Sequence, residues 1–145
     1  MKAGIDYPGV TVVYFCHDGN GNFLMGKRTN NCRDEWGRWD IDAGALDLGF
    51  TIDQTLRKEI MEEYCTDVLK YEYLGYRELH RTDEESRKTH WIGQDFKVLI
   101  DRSKVKVGEP HKIEKVEWFT LDNFPQNTHS QWLIFLNKYR NELSK

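Results

Sequence analysis

Lys58, Glu59, Glu62 and Glu63 stand in the order K-E-x-x-E-E within the stretch GALDLGFTIDQTLRKEIMEEYCT, residues 44–66. Residues three and four apart on a helix are neighbours, so a helix through this stretch sets three carboxylates on one arc of its surface. Like charges that close repel one another and cost the isolated helix stability. A divalent cation reverses the sign of that cost, because carboxylate oxygens are the ligands that hard ions such as Mg2+ prefer. An ion held there would act as a Lewis acid and lower the pKa of bound water, the chemistry of metal-assisted hydrolysis. On the helix alone, the alternative is a solvated acidic face, the commoner use of such a cluster.

The residues around the arc narrow the choice. The stretch resembles the Nudix box, the signature of the Nudix (MutT-type) hydrolases: G, five residues, E, seven residues, then R-E-U-x-E-E-x-G-U, with U a bulky aliphatic. Gly44 opens it, and Glu59, Ile60, Glu62 and Glu63 fall in register with E, U, E and E. Upstream, GRWDIDAG at 37–44 resembles the strand and turn that lead into the box. Downstream, VEWFTL at 116–121, followed by Phe124-Pro125, resembles the family's late strand and the turn after it. The departures are Phe50 in place of Glu, Lys58 of Arg, Cys65 of Gly and Thr66 of an aliphatic, with Ala43-Gly44 for the usual Gly-Gly.

The resemblance implies one α/β (α+β) domain over residues 1–145, an α/β/α sandwich on a mixed sheet. It implies a metal-dependent hydrolase of a nucleoside diphosphate linked to another moiety, using Mg2+ or Mn2+. Glu59, Glu62, Glu63 and the backbone carbonyl of Ala43 become the metal ligands, with one glutamate doubling as general base. The loop before the late strand commonly adds an acid; Glu109, Glu114 and Glu117 are available, and Glu114 is favoured by its place. Lys27 and Arg28 match basic residues that contact phosphates in MutT-like proteins. Lys58 replaces an arginine that orients a catalytic glutamate, exchanging a planar fork for a flexible point donor. Activity is therefore expected to be lowered, not lost. No extra motif after Thr66 matches subfamilies that prefer ADP-ribose, dinucleoside polyphosphates, coenzyme A or NADH. The expected substrate is a nucleoside triphosphate, cleaved to monophosphate and pyrophosphate. Asn127 lies in the region that helps read a base, since its amide both donates and accepts; the same loop would use Asn and Thr for capping. The competing reading is a catalytically weakened Nudix-fold nucleotide-binding or regulatory protein, favoured by Phe50 and Lys58 and opposed by the intact glutamates.

Periodicity supplies the elements that must position these groups. Val10–Cys16 and Phe23–Arg28 read as a hairpin around the turn residues 17–22, and Trp39–Ile41 as a short strand. Thr51 and Gln54 form a capping box, and Ile52, Leu56, Ile60 and Tyr64 an apolar stripe beside the acids. Strands follow at Val68–Leu79 and His90–Ile100, joined by the charged connection Arg81–Lys88. Ile92, Phe96, Val98 and Ile100 alternate onto one face, broken by Gln94, which either meets solvent near an edge or looks into a pocket. After a polar loop come a strand at Val116–Leu121 and a closing helix at Ser130–Leu143.

A net charge of −3 and a pI near 6.0 give no electrostatic case for a nucleic-acid polymer. Small anionic nucleotides stay open, because a bound metal and local Lys and Arg can supply positive charge. Cys16, Cys32 and Cys65 are an odd number without metal-ligand spacing, and no secretory signal or membrane-length apolar run is legible. The expectation is a cytoplasmic protein with a small-molecule nucleotide as partner, no membrane association, and a homodimer allowed.

Overall fold

The computed structural model describes residues 1–145. The hairpin arms β1 (Gly9–His17) and β2 (Phe23–Arg28) precede two short strands, β3 (Trp39–Asp40) and β4 (Asp42–Ala45), and helix α1 (Ile52–Tyr64). The long strands β5 (Val68–Thr82) and β6 (Lys88–Ile100) follow, then β7 (Ile113–Phe119) and helix α2 (Trp132–Leu143). One seven-stranded sheet runs β3-β2-β1-β6-β5, with β4 paired to β1 and β7 to β2. β1 and β6 are parallel, Val12 opposite Gln94, and the other pairings are antiparallel. This is the expected mixed sheet with a helix on each face.

The alternation of β1 decides which face receives which helix. Val12, Tyr14 and Cys16 point to a core made with Leu56, Ile60 and Tyr64 of α1. Val13 and Phe15 point the other way, against Trp132, Phe135, Leu136 and Tyr139 of α2. A register slip of one residue would exchange the two sets, so burial on both faces pins the strand. The capping box is present: Gln54 N–H donates to Thr51 Oγ1 at 3.1 Å and Thr51 N–H to Gln54 Oε1 at 2.9 Å. α1 ends at Cys65 with φ 60°, the left-handed conformation that the family's glycine adopts without strain. A side chain there costs about 1–2 kcal/mol.

Several boundaries differ from expectation. The strand expected at Trp39–Ile41 is broken at Ile41, whose side chain turns into the α2 core, and the chain resumes as β4 because Val13 pairs with Ala43. The run Arg81–Lys88 is not all connection. Its ends extend β5 and β6, and the turn is tight because the Asp83 carboxylate accepts N–H groups from Glu85 and Arg87. β7 begins at Ile113 instead of Val116, and α2 at Trp132 instead of Ser130. No helix is long and apolar enough to cross a membrane.

Candidate active site

α1 presents the acids as its spacing requires, but in three different environments. Glu62 is half exposed and pairs with Lys58 at 3.5 Å; Glu59, mostly covered, lies 3.8 Å from the same ammonium. Glu63 is buried, and its Oε2 has no hydrogen-bond partner. Burial pushes the Glu63 carboxyl up to about 12, with the charge of Asp42 adding to the rise. The Tyr14 hydroxyl is buried close to Glu63 and has no hydrogen-bond partner. Glu59 is also raised, by burial first and then by Glu62, with smaller effects from Glu109 and Asp42. Five carboxylates from α1, β4 and the loop before β7 thus share one electrostatic neighbourhood.

Two glycines set this geometry. A Cβ on Gly44 would lie 2.4 Å from Glu59 Cγ, so the backbone of β4 can pass directly beneath that side chain only without one. A Cβ on Gly108 would lie 2.0 Å from the Glu62 carbonyl oxygen. Its absence lets the loop close on the C-terminal end of α1, where Gly108 N–H donates to the Glu63 carbonyl at 2.9 Å. That docking carries Glu109 to the glutamates. Glu114 is instead paired with Lys27 at 3.5 Å.

Asp42 and Ala43 also border a half-open cleft of about 230 Å³ on the α2 side of the sheet. Its apolar lining includes Val13, Ile41, Leu79, Trp132 and Phe135, and Arg28, Arg33, Arg77 and Arg81 line it together with Asp34, Asp40 and Asp42. Arg77 is buried and forks onto Asp95 at 2.7 and 2.9 Å, while its Nη1 has no acceptor. Asp95 also accepts from the Tyr139 hydroxyl at 2.6 Å, tying β5, β6 and α2 together behind the cleft. At the rim, Arg81 donates to Asp34 and Glu35 at 2.8 and 2.7 Å, and Glu35 meets His129 Nε2 at 2.7 Å.

The residues expected to contact nucleotide divide. Arg28 reaches the cleft, bonded to the Asp34 carbonyl at 3.1 Å. Lys27, Gln94 and Asn127 do not line it. Gln94 lies on the opposite, α1 face and accepts from the Tyr73 hydroxyl at 2.8 Å; Asn127 Nδ2 donates to the Gly37 carbonyl at 3.2 Å.

A family model of the NUDIX domain matches residues 7–135. The chain belongs to the Nudix hydrolase family. No curated protein matches it, whereas solved structures do. A MutT NUDIX hydrolase from Burkholderia pseudomallei superposes with a TM-score of 0.75 at 23% identity, covering 92% of this chain and 98% of its own. A MutT protein from Methanosarcina mazei Go1 gives 0.76 at 18% identity, covering 97% and 99%. The NUDIX domain of Shewanella oneidensis NrtR, solved with ADP ribose, gives 0.71 at 19% identity, covering 99% and 90%.

Nudix hydrolases act on nucleoside diphosphate derivatives and generally use divalent metal ions. The residues of this Nudix hydrolase fit such an ion: the donors are all oxygen, and Glu63 Oε2 is buried without a donor. A cation would offset the repulsion and burial that now raise Glu59 and Glu63. Sequence reasoning passed over Asp42, Arg77 and the Arg81–Glu35–His129 chain. The one available signal was the alternation of Arg77, Leu79 and Arg81, which gives a strand one charged and apolar face.

Proposed function

We propose that this Nudix hydrolase is a Mg2+-dependent enzyme, Mn2+ serving in its place, that cleaves a nucleoside triphosphate to the monophosphate and pyrophosphate. What carries the reading is the adjacency of the acid cluster to the arginine-lined cleft through Asp42 and Ala43. Glu59, Glu62, Glu63 and the Ala43 carbonyl would hold the ion, with Glu109 a better-placed loop acid than Glu114. When bound, the ion supplies charge neutralisation at the phosphates and a more acidic water.

The protein's own residues do the rest. Arg28 and Arg81 at the cleft attract and orient the phosphate chain, as guanidinium groups do well. The apolar walls, among them Trp132 and Phe135, receive the base. Water adds to phosphorus, the P–O bond to the pyrophosphate breaks, and one of Glu59 and Glu62 takes the water's proton. Lys58 positions Glu59 and Glu62 as a point charge. Lys27, Gln94 and Asn127 have partners elsewhere and receive no role.

The decisive experiment compares product release from nucleoside triphosphates, ADP-ribose and dinucleoside polyphosphates across a Mg2+ titration, in wild type and Glu63→Gln. The expected result is metal-dependent release of pyrophosphate from a triphosphate, lowered by orders of magnitude in the variant. Preference for ADP-ribose or a dinucleoside polyphosphate would overturn the substrate class and leave the metal chemistry intact. The placement of Lys58 over Phe50, 6.0 Å from the ring centroid, favours one other reading, a weakened nucleotide-binding protein. Nucleotide binding without turnover of any substrate would select it.

A further inference from the structure

We propose that Glu78, His80 and His90 form a site for a borderline transition-metal ion such as Zn2+, separate from the helix carboxylates. His80 of β5 stands opposite His90 of β6, and Glu78, two residues along β5, shares their face. The His90 N–H turns away from β5 and donates to the Gly4 carbonyl at 2.8 Å. The two histidines are therefore the non-hydrogen-bonded kind of antiparallel pair, in which side chains approach most closely. Their rings stack at a centroid distance of 4.2 Å and an interplanar angle of 27°. His90 Nε2 lies 3.0 Å from Glu78 Oε1, and one ligand atom from each of the three residues falls within 4.8 Å of the other two. A tetrahedral Zn2+ with bonds of about 2.0–2.1 Å spaces its ligand atoms by roughly 3.3 Å. Modest turns of half-exposed side chains close the set to that spacing.

The donor types choose the ion. Two imidazoles and one carboxylate suit Zn2+, Co2+ or Ni2+, whereas Mg2+ keeps to oxygen. Three protein ligands leave a position for water or for Asp6, which borders the same recess; Lys88 is the one cation lining it. The comparable cluster of Asp34, Glu35 and His129 is a poorer host. Arg28 and Arg81 already pair with its carboxylates, so an added cation would face fixed positive charge. An ion at Glu78, His80 and His90 also has a consequence for the cleft. The alternate residues of the same strand, Arg77, Leu79 and Arg81, line that cleft, and clamping β5 to β6 from behind holds them in place.

The test is a Co2+ titration of the full chain in saturating Mg2+, followed by the visible absorption of the bound ion and its displacement by Zn2+. One site is expected in wild type and, undiminished, in Glu63→Gln, so the result does not depend on the hydrolase reading. His80→Ala and His90→Ala should each weaken it by about tenfold or more, the scale on which even an outer-shell partner matters. Glu78→Gln should also weaken it. Unchanged Co2+ binding in the His80→Ala/His90→Ala double variant, or its loss in Glu63→Gln, would overturn the assignment.

Discussion

Lys58 shows how two departures from the Nudix pattern have become one contact. Its ammonium lies between Glu62 and Glu59, 3.5 and 3.8 Å away, and over the ring of Phe50. An exposed cation–π contact contributes about 0.5–1 kcal/mol and an exposed ion pair about 0–1 kcal/mol. Neither fixes direction as a guanidinium fork does. Lys58→Arg is therefore expected to raise kcat severalfold at saturating metal with little change in KM, read from pyrophosphate release. A fall in kcat would mean that the surrounding groups have adjusted to a point charge. At this scale the helix acids were legible because 3.6-residue spacing alone brings Glu59, Glu62 and Glu63 together. The preference for Glu109 over Glu114 and Glu117 was not, since it depends on a backbone approach at Gly108 that no periodicity reports.

The segment between β2 and β3 is held across the cleft rim by charge. Glu35 accepts from the Ser130 N–H at 2.7 Å and from its hydroxyl at 3.0 Å, and pairs with Arg81 and His129. Burial raises the Glu35 carboxyl, but Ser130, His129 and Arg81 together outweigh it and hold the group below its usual range. For His129 the balance runs the other way: burial lowers the imidazole to about 4, against the pull of Glu35. The unfolded chain protonates this imidazole near the ordinary value of about 6.5. Between those two values the unfolded state binds more protons, so His129's contribution to stability is complete above about 6.5 and is lost as pH falls through 4. Thermal scans at pH 7 and pH 5 should show a lower Tm at pH 5, and the drop should be smaller in His129→Gln. An equal drop in both proteins would remove His129 as its source. Sequence alone assigned Arg81 to an exposed connection because a charged run carries no alternation to mark where a strand stops. The apolar strands, by contrast, were placed within a few residues.

For the molecule as a whole, a net charge of −3 coexists with a cleft that collects four arginines. The overall balance set aside long polyanions, yet it hid the gathering of these arginines, interleaved with Asp34, Asp40 and Asp42, at one cleft. The layering was legible because both helices carry apolar stripes and β1 alternates between two apolar sets. The cleft was less so, because its walls come from β1, β2, β3, β4, β5 and α2, and no local pattern says that distant segments will converge.

The parallel pairing of β1 with β6 has a further consequence for how the molecule opens. Val12 and Gln94 meet only after the intervening chain has closed on itself, and β1 also pairs with β2 and β4. Closing a loop that long is an entropic cost met late, after the hairpin and the adjacent β4–α1 segment can form locally. Once closed, the inner amides of β1 and β6 are released only when the whole sheet parts. Native-state hydrogen exchange should accordingly find these amides slowest, at the global unfolding free energy, and those of residues 29–38 exchanging through smaller openings. Inner β1 amides exchanging as fast as that segment would show that the sheet opens by fraying at its centre, not as one unit.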